Sequence, residues 1–574
     1  RLGPLSSRHR LTKMVAGART FSLEETFLSP QILNPPPTRH ALLAFLLALT
    51  ALLHIGTTAW GDLFDGLEGQ FASAAREMVT SGNWLVATND GAPMLDTPPL
   101  AYWAVAVSCK AFGITAAAAR LPNALATICT VALTFLIAER LAGFWRGFAA
   151  GLIYLCSIGA FLLGRVVAPD AICGLFVSAS IYCVVRGYQH QKFRRLWFAG
   201  FWSGAALAFL TKGVAPVLAL AGTVICLTIL FREARLRFRP LLYWTNPLLF
   251  VLVVAPWFAV MESRFPGFLS RLAMRADSPM ALPRGQLLLL HFACWFPAVF
   301  LVLPGLLFAP RKILRPDEIT FADRLPICWL LVTLGAALIF GQEASTALLS
   351  AFALFAAYAW ERTSRPLRAA GIALSLAAGL IAAGTIYFRP HLFGLPTDAE
   401  TTLSLRPLIQ FAVVSSLICA IGAFFAIRQR GEIMLVLALA AMVPAGCCLV
   451  EGRARIASSF SLAEAAKYLN PRLGRSGEVI FEGSLRSGNS LGFYLEKKFF
   501  FVGQTPGFFE RDDAAQRKYL DEHFLLDAWD RSDPLYLIID EKRVAYWRQL
   551  ITDRVHIYHQ VTTCGSRVIL SNQL

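Results

Sequence analysis

Residues 61–103 read GDLFDGLEGQFASAAREMVTSGNWLVATNDGAPMLDTPPLAYW and follow directly on the apolar run 41–60, ALLAFLLALTALLHIGTTAW. A run of about 20 apolar residues is long enough to cross a bilayer. Residues 61–103 are therefore the first loop beyond it. Asp62, Asp65 and Glu68 sit within the first turns after the exit. A carboxylate there is near lipid yet wet enough to stay ionised. In 67–80, Phe71, Ala75 and Met78 recur at i, i+4 and i+7, with Gln70, Arg76 and Glu77 on other faces. Residues 98–113, PPLAYWAVAVSCKAFG, are too few to span and carry Lys110; their paired prolines suit a first helical turn. The spacing predicts two helices lying at the interface, with Tyr102 and Trp103 at headgroup depth.

Outside this loop the chain is dominated by further apolar runs. Of 574 residues, 56% are hydrophobic and 16% charged. In hydrocarbon the backbone must satisfy its own hydrogen bonds, so these runs are expected to be helices. The fold class is an α-helical multi-pass membrane protein with about 13 spans. They fall near 41–60, 119–139, 147–164, 170–186, 196–211, 213–231, 241–261, 287–309, 325–341, 345–360, 367–388, 407–427 and 433–451. With the N-terminus cytoplasmic, the inner loops hold 19 Lys or Arg against 11 in the longer outer loops. That bias places the N-terminus inside and the region after residue 451 outside, in the cytoplasmic (inner) membrane. The net charge of +16 is spread over short loops as topology signals, which argues against nucleic-acid binding.

Residues 1–38, basic and ending in Pro35-Pro36-Pro37, read as a disordered cytoplasmic tail. Residue 1 is arginine, and Met14 offers an alternative start; the run 41–60 reads as an uncleaved anchor. Residues 39–451 form the transmembrane domain. Residues 452–574 differ in kind, with mixed charge and apolar runs at 478–481 and 535–539, a helix over 541–550 and a hairpin over 555–570. They predict a small extracytoplasmic α/β domain. The 12 cysteines lie mostly in apolar runs, without metal-ligand spacing, so no metal or other cofactor is expected.

The chemistry-bearing candidates cluster at the outer rim. Asp62 or Asp65 can cap the helix from Leu67, and Glu68 suits its first turn. Three acids within seven residues exceed what one cap requires. A positioned carboxylate can instead take a proton from an acceptor hydroxyl or amine. Asp170 follows Pro169 at the start of the fourth span, five residues after Arg165. An Arg165–Asp170 ion pair and a place in the same cavity as the first loop are both open readings. Lys212, in the turn between two spans, is either a snorkelling lysine or a charge holding a phosphate. Arg264, Arg271, Arg275 and Arg284 crowd one outer loop and can attract lipid headgroups or bind a phosphodiester. Carboxylates facing a ring of cations fit glycosyl transfer from a polyprenyl phosphate, because the acid activates the acceptor and the cations stabilise the leaving phosphate.

The stretch 67–103, followed by Ala119-Arg120-Leu121-Pro122, resembles the first outer loop of the aminoarabinose transferase and protein O-mannosyltransferase superfamily. These are C-type integral-membrane glycosyltransferases. Ala168-Pro169-Asp170-Ala171 and Thr211-Lys212-Gly213 are similar to further elements of that family. The resemblance implies a polyprenyl-phosphate-linked sugar as donor, an acceptor at the outer face and inversion at the sugar carbon. Two positions depart from it. Family members carry Asp-Glu where this chain has Leu67-Glu68, and Lys before the paired prolines where it has Thr97. The base role then passes to Asp65, with Glu68 second, and phosphate binding to Lys212, Arg165, Arg271 and Arg275. The competing readings are a lipid-linked sugar transporter or flippase, and a non-catalytic polyprenyl-phosphate-binding membrane protein.

Overall fold

The structure is a computed structural model. It describes residues 39–573 apart from 96, 271–282, 315–319, 342–345, 427–430, 485–486, 504–518, 531–532 and 554–556. The expected tail over 1–38 lies outside the described residues. The chain divides into residues 1–45 and 46–574. The first unit contributes the start of the helix Arg39–His54.

The apolar runs of the second unit are helical, as the solvent demands. Among the described residues seven helices are long and apolar enough to cross a membrane: Ala116–Ala142, Pro169–Gln189, Thr245–Arg264, Phe321–Ile339, Arg365–Phe388, Glu400–Phe425 and Gly431–Arg455. The pair Arg284–Cys294 and Ala298–Phe308, bent by 106°, brings the number to eight at most. The thirteen expected runs exceed this because several are short or interrupted. The run 147–164 divides into Phe144–Leu155 and Ile158–Leu163. The Ile158 N–H freed at this break donates to the Phe296 carbonyl at 3.0 Å, so the two interrupted runs meet at their breaks. Val214–Leu230 is a shorter apolar helix. It leaves Arg194–Lys212 through Gly213, whose φ of 78° allows the turn.

Burial separates two kinds of membrane helix. Thr346–Arg362 is enclosed from Leu348 to Trp360, packed against Pro169–Gln189, Phe321–Ile339 and Phe144–Leu155. Arg365–Phe388 and Ala399–Phe425 instead expose their apolar side chains, Phe388 to 80% and Phe425 to 81%. Such a face suits lipid and would be costly in water.

The first long loop contains the two expected helices, Leu67–Ser81 and Leu100–Phe112, linked through a two-residue ribbon, Thr88–Asn89 with Ala92–Pro93. Tyr102 does not face outward from the protein. It is fully buried and stacks on Phe71 at 4.4 Å, because the two helices pack face to face. Trp103 Nε1 donates to the Trp84 carbonyl at 2.6 Å.

Beyond residue 455 the chain builds a six-stranded sheet. Glu478–Glu482 lies at its centre, parallel to Phe500–Val502 and to Leu535–Asp540. Tyr519–Leu520 extends one edge in parallel, while Arg567–Ser571 and His559–Cys564 add antiparallel strands at the other. Helices Glu522–Trp529 and Val544–Asp553 supply Trp529, Trp547 and Ile551 to an apolar cluster on the sheet. The short helix Asn489–Tyr494 packs on Leu67–Ser81 of the first loop. A Cβ on Gly69 would lie 2.6 Å from the Ser490 nitrogen, so the contact requires glycine there.

Candidate functional site

The first-loop acids take different positions. The helix Leu67–Ser81 starts at Gly66 with no side-chain cap, so neither Asp62 nor Asp65 serves it in that way. Glu68 points inward, with a side chain 1% exposed, and each oxygen meets an arginine. Oε1 accepts from Arg120 Nε at 2.9 Å, and Oε2 from Arg453 Nη2 at 2.7 Å and from the Phe64 N–H at 3.0 Å. Burial opposes its charge, but the two guanidinium groups prevail and hold its carboxyl down at about 2. Arg120 uses its remaining donors on the loop backbone. Nη1 reaches the carbonyls of Thr58, Trp60 and Gly61, and Nη2 that of Asp62, at 2.7–3.1 Å. One buried ion triad thus ties the loop to the helices Ala116–Ala142 and Met442–Arg455.

Beside the triad lies a small cleft. It is lined by Trp60, Asp62, Arg120, Phe161, Arg165 and Arg453, with an empty volume of about 300 Å³ that includes space open to solvent. Arg165, 4% exposed, donates from Nη2 to the Thr57 carbonyl, while its Nε and Nη1 have no hydrogen-bond partner among the described residues. Burial, then the charges of Arg120 and Arg453, pull its pKa down to about 10, with Glu68 opposing. Arg453 also lies 4.2 Å from the centre of the Phe64 ring, a cation–π contact.

Asp65 faces the other way. Its Oδ1 accepts from the Ser490 N–H at 2.9 Å and the Ser490 hydroxyl at 2.6 Å, and its own N–H donates to the Phe460 carbonyl at 2.8 Å. Burial raises its carboxyl to about 6 against the pull of these hydrogen bonds and of Arg567. Neighbouring bonds extend the seam: Leu63 N–H to the Tyr494 hydroxyl at 2.9 Å, Asn89 Nδ2 to Asn489 Oδ1 at 2.5 Å and Arg76 Nη1 to the Gly492 carbonyl at 2.9 Å.

The expected Arg165–Asp170 pair is not formed. Asp170 Oδ1 instead accepts from Lys212 Nζ at 2.5 Å, with side chains 12% and 18% exposed. His291, buried, lies near this pair, and its Nε2 has no hydrogen-bond partner among the described residues. The structure therefore brings together Glu68 with Arg165 at the cleft, and Asp170 with Lys212 apart from it; the cleft lining contains neither Asp65, Asp170 nor Lys212. Arg264 and Arg284 are exposed. Arg271 and Arg275 lie outside the described residues. Sequence reasoning passed over Arg453 and gave Arg120 no role. An arginine set within the first turns of an apolar helix was the available signal for Arg120, since such a residue is costly unless paired.

Known proteins share this architecture. A family described as dolichyl-phosphate-mannose-protein mannosyltransferase matches residues 96–259. An uncharacterised protein of Aquifex aeolicus (strain VF5) is 28% identical over 217 residues, covering 37% of this chain and 43% of that protein. The undecaprenyl phosphate-alpha-4-amino-4-deoxy-L-arabinose arabinosyl transferase 2 of Proteus mirabilis (strain HI4320) is 29% identical over 234 residues, 40% of this chain and 41% of its own. The chain thus spans about two fifths of the length of these curated relatives. The crystal structure of ArnT from Cupriavidus metallidurans bound to undecaprenyl phosphate superposes with a TM-score of 0.77 at 19% identity, covering 93% of this chain and 98% of ArnT. Its apo state gives a TM-score of 0.75 at 18% identity.

Proposed function

Proceeding from a membrane fold shared with the C-type glycosyltransferases, we propose that this chain moves a sugar from a polyprenyl-phosphate donor to an acceptor at the outer face of the cytoplasmic membrane. The observation that carries the reading is the first loop, where buried carboxylates and arginines are fixed at the membrane rim on the ArnT fold. In this reading the N-terminus is cytoplasmic, the shorter and broken helices complete about 13 crossings, residues 39–451 are the transferase domain and residues 452–574 an outer α/β domain.

The residues divide the work by their surroundings. Asp65 is the base. Its Oδ1 is held by Ser490, and no hydrogen bond engages Oδ2 among the described residues. With its carboxyl raised to about 6, it is ionised near neutral pH and basic enough to take a proton. Oδ2 takes the acceptor proton as the acceptor atom bonds to the anomeric carbon. The bond from that carbon to the phosphate oxygen breaks, and the lipid phosphate leaves with the electron pair. Lys212, steadied by Asp170, supplies a positive charge to the leaving phosphate, with Arg271 and Arg275 as further candidates. Glu68, saturated by two arginines, positions the loop rather than moving protons.

The test is transfer of sugar from a polyprenyl-phosphate donor by the protein in proteoliposomes. Asp65→Asn is expected to lower kcat by about 100-fold or more while leaving donor binding intact; full activity in this variant overturns the mechanism. One observation favours a second reading, binding without turnover: Leu67, where the family places its acid, is an exposed apolar side chain. Donor binding by the wild type without any sugar transfer would select that reading.

A further inference from the structure

We propose that the cleft walled by Arg120, Arg165 and Arg453 is a phosphoryl-binding site in its own right, separate from the Asp170–Lys212 pair. The reason lies first in Arg165. A guanidinium carries five N–H donors and no acceptor. Here the side chain is almost wholly buried, one nitrogen meets the Thr57 carbonyl, and Nε and Nη1 have no hydrogen-bond partner among the described residues. Leaving such donors unsatisfied in a dry site is costly, and a charged donor more so. An anion accepting from either donor removes part of that cost.

Charge points the same way. Three arginines line the cleft, against Glu68 behind them and Asp62 on its wall. His54, buried beside Arg165 and stacked on Phe161 at 6.1 Å, has no hydrogen-bond partner at either ring nitrogen among the described residues. The formal balance is therefore positive by one, in a place where charge is poorly solvated. The geometry is also preorganised. Glu68 and four loop carbonyls fix Arg120, while Glu68 and the Phe64 ring fix Arg453. Arg165 is the member with donors to spare, and either its Nε–H or its Nη1–H group can donate to an oxygen of a phosphoryl group. The cleft lies between the first loop and the helix Met442–Arg455, within reach of a group anchored in lipid.

Three sources carry this chemistry: a polyprenyl monophosphate, a phospholipid headgroup and free phosphate. Only the first of these probes rests on the transferase reading. Equilibrium binding of undecaprenyl phosphate, of phosphatidylglycerol and of inorganic phosphate is measured on the full chain in phosphatidylcholine nanodiscs, without sugar or acceptor. Arg165→Gln is expected to weaken at least one probe by about tenfold or more, with Arg165→Lys restoring part of the loss. The same factor is expected on a Lys212→Gln background, since separate sites add. Unchanged binding of every probe in Arg165→Gln, or an effect that vanishes on the Lys212→Gln background, overturns the proposal. A wild-type structure with the bound probe provides the check that needs no variant: phosphorus within hydrogen-bond reach of Arg165 supports the site, and phosphorus only at Lys212 overturns it. Failure of sugar transfer, by contrast, tests the transferase reading and leaves these binding results standing.

Discussion

At the residue scale, two acids three positions apart are driven in opposite directions. Glu68 is held at about 2 and Asp65 is raised to about 6, because one meets two arginines and the other loses solvation in a seam where the hydrogen bonds from Ser490 only partly offset the loss. The consequence for Asp65 has a definite sign. Its native carboxyl binds a proton more tightly than the unfolded one, which titrates at 3.8. Its contribution to stability is therefore fullest below pH 3.8 and is lost as pH rises through about 6, on the order of 3 kcal/mol in all. Asp65→Asn is expected to flatten that part of the stability profile, followed by thermal unfolding between pH 4 and 7. If Asp65 is also the proposed base, the acidic limb of kcat/KM near pH 6 disappears in any residual activity of the variant; a limb that persists unchanged assigns the proton to another group. Neither Asp65's partner nor Glu68's was legible in the sequence. Ser490 lies 425 residues from Asp65 and Arg453 lies 385 from Glu68, and no local pattern announces a polar partner at that separation.

At the element scale the first loop was legible because its period is helical: Phe71, Ala75 and Met78 are buried on one face of Leu67–Ser81, as their spacing requires. What the spacing did not contain was the surface that this helix meets. Tyr102 looked like an interfacial aromatic and is instead sealed against Phe71, since an aromatic ring suits either setting. The number of long unbroken helices among the described residues falls below the number of apolar runs for a related reason. Hydropathy reads 147–164 and 287–309 as continuous, whereas the backbone breaks where each run can satisfy the other, Ile158 on Phe296. The close approach of Leu67–Ser81 to Asn489–Tyr494 makes its own prediction. Gly69→Ala places a methyl 2.6 Å from the Ser490 nitrogen and is expected to cost about 1–3 kcal/mol. The measurement is thermal stability together with limited proteolysis near residue 490. Wild-type stability with no new cleavage would mean that the seam yields without strain.

At the scale of the whole molecule, the membrane region and the sheet are joined by polar bonds as well as by apolar contacts, Phe493 packing in one cluster with Phe71 and Phe64 stacking on Phe460. Asp65 to Ser490, Leu63 to Tyr494, Asn89 to Asn489 and Arg76 to Gly492 all cross from the first loop to the region beyond residue 455. Each group would be left buried and unsatisfied without its partner. A chain cut after residue 455 is therefore expected to lose sugar transfer and to become protease-sensitive at Arg76, read by mass spectrometry of membranes; retained transfer in the cut chain would show that the seam is dispensable. The seam also imposes an order in time. A ribosome adding about 5–20 residues each second reaches Ser490 on the order of 20–80 s after Asp65 has been made. Through that interval the first loop has left the ribosome while its carboxylate lacks a mate. The seam is consequently a late product of synthesis, and on the proposed reading a stalled or prematurely ended chain is expected to remain inert in the bilayer, checked by sugar transfer from membranes holding the arrested chain.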